Sequence, residues 1–544
     1  MIAQALTGLL LHLVAFSAAA PLAGPTVTLD SATVSGTSWG KTSKFLGIPF
    51  AQPPVGDLRF RLPQSLPSYQ SNFNATNYGL SCMQQALTLP IVKGAAAEFS
   101  NQLLNSVFNK IVPNSEDCLT LNVVKPASAT PSSKLPVVVW IYGGGFQIGS
   151  TSLNDGAIIV SRSIAMGSPV VYVSMNYRLS GFGFLPGKEV GEAGVANVGL
   201  HDQREALRWV QKYISQFGGD PAKVTIWGES AGAISISLHM LANGGDTQGL
   251  FRGAFMQSGA PIPIGDITHG QKYYDSLVTD TGCSGAADTL QCLRSVPYAS
   301  LKAAINKSPG LFSYQSLNLA WLPRTDGVLL AEDPQKLVQQ GKIANIPYVI
   351  GNCDDEGTLF SLSTLNVTSE DQVKTYLKDI FFVGTPDEQL DQLLNAYPRD
   401  ITQGSPFDSG ILNAISPQFK RISAIIGDGV FQAPRRWLLQ HTVGKQNIWG
   451  FVHKRLKVVP ILGSFHTSDL LDVYGGGEMA DYLIRFVNTL DPNGSGALQW
   501  PQYTSQDRNL MTFRDGLIPL AITQDNFRKE GMDILTTITL ARPI

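Results

Sequence analysis

Short β-branched runs alternate with amphipathic stretches along the chain. Val137-Val138-Val139-Trp140-Ile141, Val170-Val171-Tyr172-Val173-Ser174, Val224-Thr225-Ile226-Trp227 and Tyr348-Val349-Ile350 carry almost no polar interruption, as suits strands of a sheet covered on both faces. Between the second and third runs, Leu207, Val210 and Ile214 fall at helical spacing within 200–217, which leaves Gln203, Arg204, Lys212 and Gln216 for the opposite face. Strands alternating with helices predict right-handed crossovers and an α/β fold whose central sheet is mostly parallel. In such sheets the working site lies beyond the carboxyl ends of the strands. The residues just after each run are therefore the ones to inspect.

Three of those ends carry chemistry. After Trp227 comes Gly228-Glu229-Ser230-Ala231-Gly232 and then a helix-compatible stretch through Met240. Glycines on either side permit a sharp strand-to-helix turn that lifts a serine hydroxyl clear of the backbone, and the Ala231 amide would face an oxyanion above it. Ser230 is the candidate nucleophile. After Ile141 comes Tyr142-Gly143-Gly144-Gly145-Phe146; three glycines in a row cost conformational entropy, and close approach of their N–H groups to a developing negative charge would justify it. Each such donor is worth roughly 3 kcal/mol in a transition state. After Ile350 comes Gly351-Asn352-Cys353-Asp354-Asp355-Glu356-Gly357, with three adjacent carboxylates that could orient a histidine. Physical reasoning alone leaves all three open, with Asp326 in Arg324-Thr325-Asp326-Gly327 a further candidate whose setting favours a turn role.

The base should follow the acid in chain order. Of His441, His453 and His466, the first sits in a helical context and the second in a strand-like run. His466 lies in a loop after Val458-Val459-Pro460-Ile461-Leu462, where an imidazole can reach both partners.

Composition narrows the setting. The 544 residues include 44% hydrophobic and only 15% charged, with 40 basic against 42 acidic side chains and a net charge of −2. Such a chain buries a large core, and a nucleic-acid partner is disfavoured. Leu9 through Phe16 followed by Ser17-Ala18-Ala19-Ala20 reads as a secretory signal over residues 1–19, although no Lys or Arg precedes the apolar run. No other stretch approaches the ~18 apolar residues of a membrane span, so a secreted, extracellular mature chain without a transmembrane segment is expected. In that compartment five cysteines most simply form two sequence-neighbour bridges with one thiol left over. No clustered Cys or His suggests a metal. Asn74, Asn306, Asn366 and Asn493 head glycosylation sequons, the second disfavoured by Pro309.

Several longer motifs carry a resemblance. Phe217-Gly218-Gly219-Asp220 with Gly228-Glu229-Ser230-Ala231-Gly232, and Glu116-Asp117-Cys118-Leu119-Thr120-Leu121-Asn122-Val123, resemble the two signatures of the type-B carboxylesterase/lipase family. Gly47-Ile48-Pro49-Phe50-Ala51, Ile401 to Phe407 and Trp500-Pro501-Gln502-Tyr503 resemble yeast and fungal secreted lipases and sterol esterases. The resemblance implies one α/β-hydrolase catalytic domain over 20–544, with no cofactor. It implies Glu356 as the acid beside Ser230 and His466, and Gly144, Gly145 and Ala231 as oxyanion donors. It pairs Cys82 with Cys118 and Cys283 with Cys292, leaves Cys353 free, and places a lid within 82–118. It further implies an apolar acyl tunnel, for which Phe146, Leu317, Leu319, Leu322, Phe360, Ile426 and Phe431 match.

Within that lid Leu104, Val107, Phe108 and Ile111 share one helical face opposite Gln102, Asn105, Ser106 and Asn109. Leu87, Leu89, Ile91 and Val92 precede them, with only Lys93, Glu98 and Lys110 as charges. The expected function is a secreted serine hydrolase of long-chain esters, triacylglycerols first and sterol esters second, acting at an oil-water interface as a monomer or a lid-mediated homodimer. A carboxylesterase on soluble short-chain esters is the nearest alternative. A non-catalytic binding protein of the same fold is the alternative of a different class.

Overall fold

The computed structural model describes residues 24–88 and 95–544; the expected signal segment and Leu89, Ile91, Val92 and Lys93 of the expected lid lie outside them. An 11-stranded sheet dominates. Its strands are β1 (Thr37–Trp39), β2 (Thr42–Pro49), β3 (Thr120–Pro126), β4 (Leu135–Ile141), β5 (Val171–Met175), β6 (Gly219–Glu229), β7 (Gly253–Gln257), β8 (Tyr348–Cys353), β9 (Ile448–Lys454), β10 (Asn509–Arg514) and β11 (Leu520–Gln524). They lie in the order β11-β10-β9-β8-β7-β6-β4-β5-β3-β2-β1. From β10 across to β5 every neighbouring pair is parallel, and the antiparallel pairs are confined to the two ends. This is the α/β-hydrolase arrangement. A small three-stranded sheet (Thr26–Leu29, Ala32–Ser35, Phe73–Asn74) adjoins it, with Leu46 N of β2 donating to Ala75 O at 2.7 Å.

The central strands are buried on both faces: β5, β7 and β8 are buried at every position, and β4 from Val137 onward. Uninterrupted apolar runs are the sequence counterpart of that double cover. Parallel register carries Ile141 level with Gly228, Glu229 level with Gln257, and Gln257 level with Gly351. The candidate residues that follow these strands consequently emerge along one edge of the sheet.

The helix expected between β5 and β6 spans Val198–Tyr213 and continues as a tight turn over Ile214–Phe217. Its expected polar face needs correction. Gln203 and Arg204 are fully buried, because Gln203 Nε2 donates to Ser235 Oγ at 3.1 Å, and Arg204 Nη2 to Gln248 Oε1 at 2.7 Å. Hydrogen-bonded polar groups can occupy a core that unpaired ones cannot. Only Arg208 and Lys212 of this helix reach solvent fully.

Both disulfides form, Cys82 to Cys118 and Cys283 to Cys292, and the Cys353 thiol is buried and unpaired with another cysteine. The first closes a loop containing the helix Ala95–Ile111. Leu104 and Phe108 are only half-buried there, while Val107 and Ile111 stand 47% and 62% exposed. Asn105, assigned by spacing to the polar face, ties the helix down: its Oδ1 accepts from Leu87 N at 2.8 Å and its Nδ2 donates to Leu87 O at 2.7 Å.

Candidate active site

Ser230 sits between the end of β6 and the helix Ala231–Leu241, with φ 55° and ψ −127°. A non-glycine residue in that region carries strain of about 1–3 kcal/mol and persists only where its surroundings over-determine it. Here they do. Ser230 N–H donates to Gln257 O on β7 at 2.9 Å, and Ser230 O accepts from Ile234 N at 2.9 Å. The following glycine is obligatory: a Cβ on Gly232 would stand 2.0 Å from the carbonyl oxygen of Ile141. The Ser230 turn is thus clamped between β4, β7 and its own helix.

Glu356 and His466 arrive from β8 and from the loop after β9. His466 Nε2 lies 2.8 Å from Ser230 Oγ, and His466 Nδ1 lies 2.5 Å from Glu356 Oε2. Glu356 Oε1 accepts from Cys353 N at 2.7 Å, so the carboxylate is held at both oxygens. The rings of Phe360 and Phe431 flank the imidazole at 5.1 and 4.6 Å. A proton on Ser230 therefore has a route to Nε2, and an imidazolium formed there has an anion at Nδ1.

The two neighbouring carboxylates have a different task. Asp355 accepts from Phe407 N and Ser464 N, each at 2.8 Å, and Lys457 Nζ reaches Asp354 at 2.8 Å and Asp355 at 2.6 Å. Burial and the adjacent Asp354 charge push the Asp355 carboxyl up, to about 6. Burial works the same way on Asp354, but the Lys457 and Lys454 ammonium groups outweigh it and hold that carboxyl down. Three adjacent carboxylates thus divide into one that faces His466 and two that pin its loop.

One residue of the nucleophile motif was given no role by sequence reasoning. Glu229 is fully buried, with Oε1 3.3 Å from His466 Nε2 and in no hydrogen bond of its own. Burial pushes its carboxyl up to about 8. For His466, burial disfavours the charged ring, yet the nearby Glu229 and Glu356 carboxylates outweigh that and shift it upward. The signal for Glu229 was its place beside Ser230, but side-chain alternation along a strand does not reveal a charge that stays inside.

Gly144, Gly145 and Ala231 line one cavity with Ser230 and His466. Gly144 has φ 102°, and a Cβ there would meet the Ile148 carbonyl oxygen at 2.2 Å. Ala231 opens its helix, where the N–H has no intrahelical acceptor. The cavity holds about 170 Å³ and is almost wholly apolar. Phe146, Leu317, Leu319, Leu322, Phe360 and Phe431 line it, whereas Ile426 does not. Ile426 lies buried in the helix Phe419–Gly427, and Val430 and Phe431, from the π-turn Asp428–Gln432 that follows it, reach the wall. Leu311, Phe312 and Ile544 also line it. A larger hollow of about 360 Å³ beside Phe407 and Arg528 contains none of these groups, and its Arg528 is spent on Asp428 at 2.7 Å.

His453 and His441 lie away from this chemistry. His453 is buried on β9, where burial and the Arg455 charge pull it down to about 3, and His441 stacks on Trp437 at 3.9 Å. Asp326 caps a turn by accepting from Val328 N and Leu330 N, both at 3.0 Å.

A strained serine turn, an imidazole on its hydroxyl, a carboxylate behind that imidazole and the parallel sheet below define a serine-hydrolase class of site. The chain belongs to the carboxylesterase family, whose model matches residues 23–527. It is 45% identical to Lipase 4 of Diutina rugosa over 95% of this chain and 96% of that one. It is 44% identical to Secreted lipase 1 of Botryotinia fuckeliana (94% and 93%) and 40% identical to the Secreted triacylglycerol lipase LIP1 of Gibberella zeae (94% and 90%). The crystal structure of Aspergillus niger EstA superposes with a TM-score of 0.80 at 29% identity, covering 96% of this chain and 99% of that one. The protein is a carboxylic ester hydrolase. Among the described residues no helix is long and apolar enough to cross a membrane.

Proposed function

We propose that residues 20–544 act as one secreted catalytic unit that hydrolyses long-chain esters, triacylglycerols foremost, through an acyl-enzyme on Ser230. The hydrogen-bonded row Ser230–His466–Glu356, opening on an apolar cavity, carries this reading. His466 Nε2 takes the Ser230 proton as Oγ bonds to the ester carbonyl carbon, and Glu356 balances the imidazolium. The amides of Gly144, Gly145 and Ala231 face the resulting oxyanion. Collapse releases the alcohol with the proton from Nε2. Water then attacks the acyl-enzyme by the same route and frees the acid. Phe146, Leu317, Leu319, Leu322, Phe360 and Phe431 receive the acyl chain, whose transfer from water gains about 0.8 kcal/mol per buried methylene.

The Botryotinia and Gibberella relatives are named secreted, which supports an extracellular location. Outside the cell Asn74 and Asn366 are the reachable sequons, being exposed. Asn493 spends its amide on Asp491 and Trp500, and Asn306 accepts from Ala86 N. The exposed Val107 and Ile111 of the lid helix support contact with a lipid phase, or with a second copy in a lid-paired dimer.

A panel of p-nitrophenyl butyrate, triolein and cholesteryl oleate tests the substrate. Triolein should be cleaved, with a jump in rate once droplets form. Smooth saturation on butyrate with no action on triolein would replace the lipase reading by a soluble-ester one. Organophosphate should label Ser230 and abolish all turnover; a folded protein that is neither labelled nor active would instead be a binding protein.

A further inference from the structure

Five of the six most exposed large apolar side chains among the described residues lie on three segments: Leu517 (102%), Val458 (86%), Leu412 (69%), Ile411 (67%) and Ile518 (65%). Those segments are neighbours. Lys457 N donates to Asp515 Oδ2 at 3.2 Å, which joins the loop after β9 to the tip of the β10–β11 hairpin. Ile461 N donates to Asn413 Oδ1 at 2.8 Å, which joins the same loop to the 405–415 segment. Phe407 N in turn donates to Asp355 beside the acid turn. Because β6, β8, β9 and β10 run parallel, the loops leaving Lys454 and Arg514 emerge on the edge that carries Ser230 and Glu356. The apolar tips and the triad share that edge.

The loop after β9 is also held in a costly shape. Leu456 and Ile461 have φ of 66° and 70°, a region that branched side chains avoid, and Val458 stands between them. A stable protein partner needs a packed patch of about 800 Å² on each side. These side chains instead stand singly at tips, and Leu517 is as free of neighbours as an isolated residue. Single protruding apolar side chains dissolve into a fluid phase without needing a complementary surface. Charge points to an uncharged one: among the described residues of these segments Lys457 is paired with Asp354 and Asp355, Lys454 with Asp354 and Asp408, and Arg455 with Asp472 and Glu478, which leaves Arg514, its Nε turned back to Ile518 O, as a single cation rather than a cluster that would select anionic headgroups.

We infer that Ile411 and Leu412, Val458, and Leu517 with Ile518 form a lipid-contact surface, built from segments other than the disulfide-closed loop, that seats the protein on a neutral ester phase with the triad edge toward it. The inference rests on the proposed lipid-ester substrate, and its test is kept independent of turnover. Binding is read by flotation of the full chain carrying Ser230→Ala on phosphatidylcholine-coated triolein droplets, so hydrolysis does not enter. Adding Val458→Asp, Leu517→Asp and Ile518→Asp should cut the bound fraction tenfold or more. The same three changes in the active chain should leave butyrate turnover within twofold. Should that variant fail to fold, Leu517→Ser with Ile518→Ser at the hairpin tip is read in its place, with a loss of threefold or more expected. Unchanged flotation overturns the surface, as does binding only to phosphatidylglycerol vesicles, or a change in oligomeric state with flotation unaltered. A parent chain that floats normally yet never cleaves triolein would overturn the proposed substrate and leave the surface standing.

Discussion

The strand-end loops around Ser230 and the Cys82–Cys118 excursion are held by different means. Around Ser230 the constraints are redundant: a strained φ, a glycine pressed on Ile141, Glu356 and Asp355 each bonded at both oxygens, and a lysine bridging Asp354 and Asp355. The excursion is covalently closed, and its described ends are well tied: Gln84 and Gln85 bond Gly149 and Gln147, Ala86 N donates to Asn306, and Glu116 accepts from Arg59. Among the described side chains of its helix, Asn105 bonds Leu87 while Val107 and Ile111 are left in solvent. A disulfide limits how far a loop can wander without fixing its conformation. The Ser230, Glu356 and His466 side chains are thus placed by the sheet and its strand-end loops, whereas the excursion leaves Val107 and Ile111 facing solvent.

The sharpest way to break the contrast is to relax the rigid side. Gly232→Ala places a methyl 2.0 Å from the Ile141 carbonyl oxygen, so either the nucleophile turn or β4 must shift. A misplacement of about 1 Å at a reacting group costs about 100-fold. The kcat for p-nitrophenyl butyrate should fall at least that far, with a lowered thermal midpoint. Activity within threefold of the parent would mean the turn has slack that its geometry denies.

The same contrast explains what could be read from the chain alone. Gly228 to Gly232 and the strands β4, β5 and β8 were legible because each answers to a local rule, a glycine where backbone crowds and an apolar run where both faces are covered. Ile426 was carried over from the resemblance and answers to no local rule; it lies in the buried helix Phe419–Gly427, one turn before the Val430 and Phe431 that reach the wall. Gln203 and Arg204 read as surface because their buried partners lie 32 and 44 residues away, too far for any local pattern to reveal. Which of the three carboxylates meets His466 was undecidable from local chemistry for a related reason. Asp354, Asp355 and Glu356 differ only in what comes to meet them, and Lys457 and His466 come from 100 residues or more downstream.

A smaller effect separates the buried charges from one another. In the proposed mechanism His466 must be neutral to accept the Ser230 proton, so activity should rise with pH through its titration. Negative charge on Glu229 and Glu356 moves that rise to higher pH. Glu229→Gln removes one of the two charges and should shift the acid limb of kcat/KM toward lower pH, with kcat at the plateau changed by no more than about tenfold. Glu356→Gln should shift it the same way while also losing the hydrogen bond at Nδ1, and with it far more of the plateau rate, roughly 10⁴-fold by analogy with other triads. An acid limb that stays in place in Glu229→Gln would show that Glu229 keeps its proton throughout and only fills space beside Nε2.

The smallest expected effect lies in the excursion. Asn105→Ala deletes the bonds to Leu87 N and Leu87 O while leaving the disulfide and the triad untouched. Two hydrogen bonds in a partly exposed site are worth about 1–2 kcal/mol together, and that loss is confined to the excursion rather than shared by the sheet. Amide exchange of 86–88 and of the helix Ala95–Ile111 should accelerate, since their local opening free energy is what has been lowered. Butyrate turnover should be nearly unchanged, because none of its groups leans on Asn105. Turnover of emulsified triolein should change by no more than about threefold, upward if opening of the excursion limits entry and downward if the closed helix supplies part of the contact with the droplet. Faster exchange accompanied by a large fall in butyrate turnover would show instead that the excursion braces the glycine turn through Gln84 and Gln85, and that the two regions are one mechanical unit.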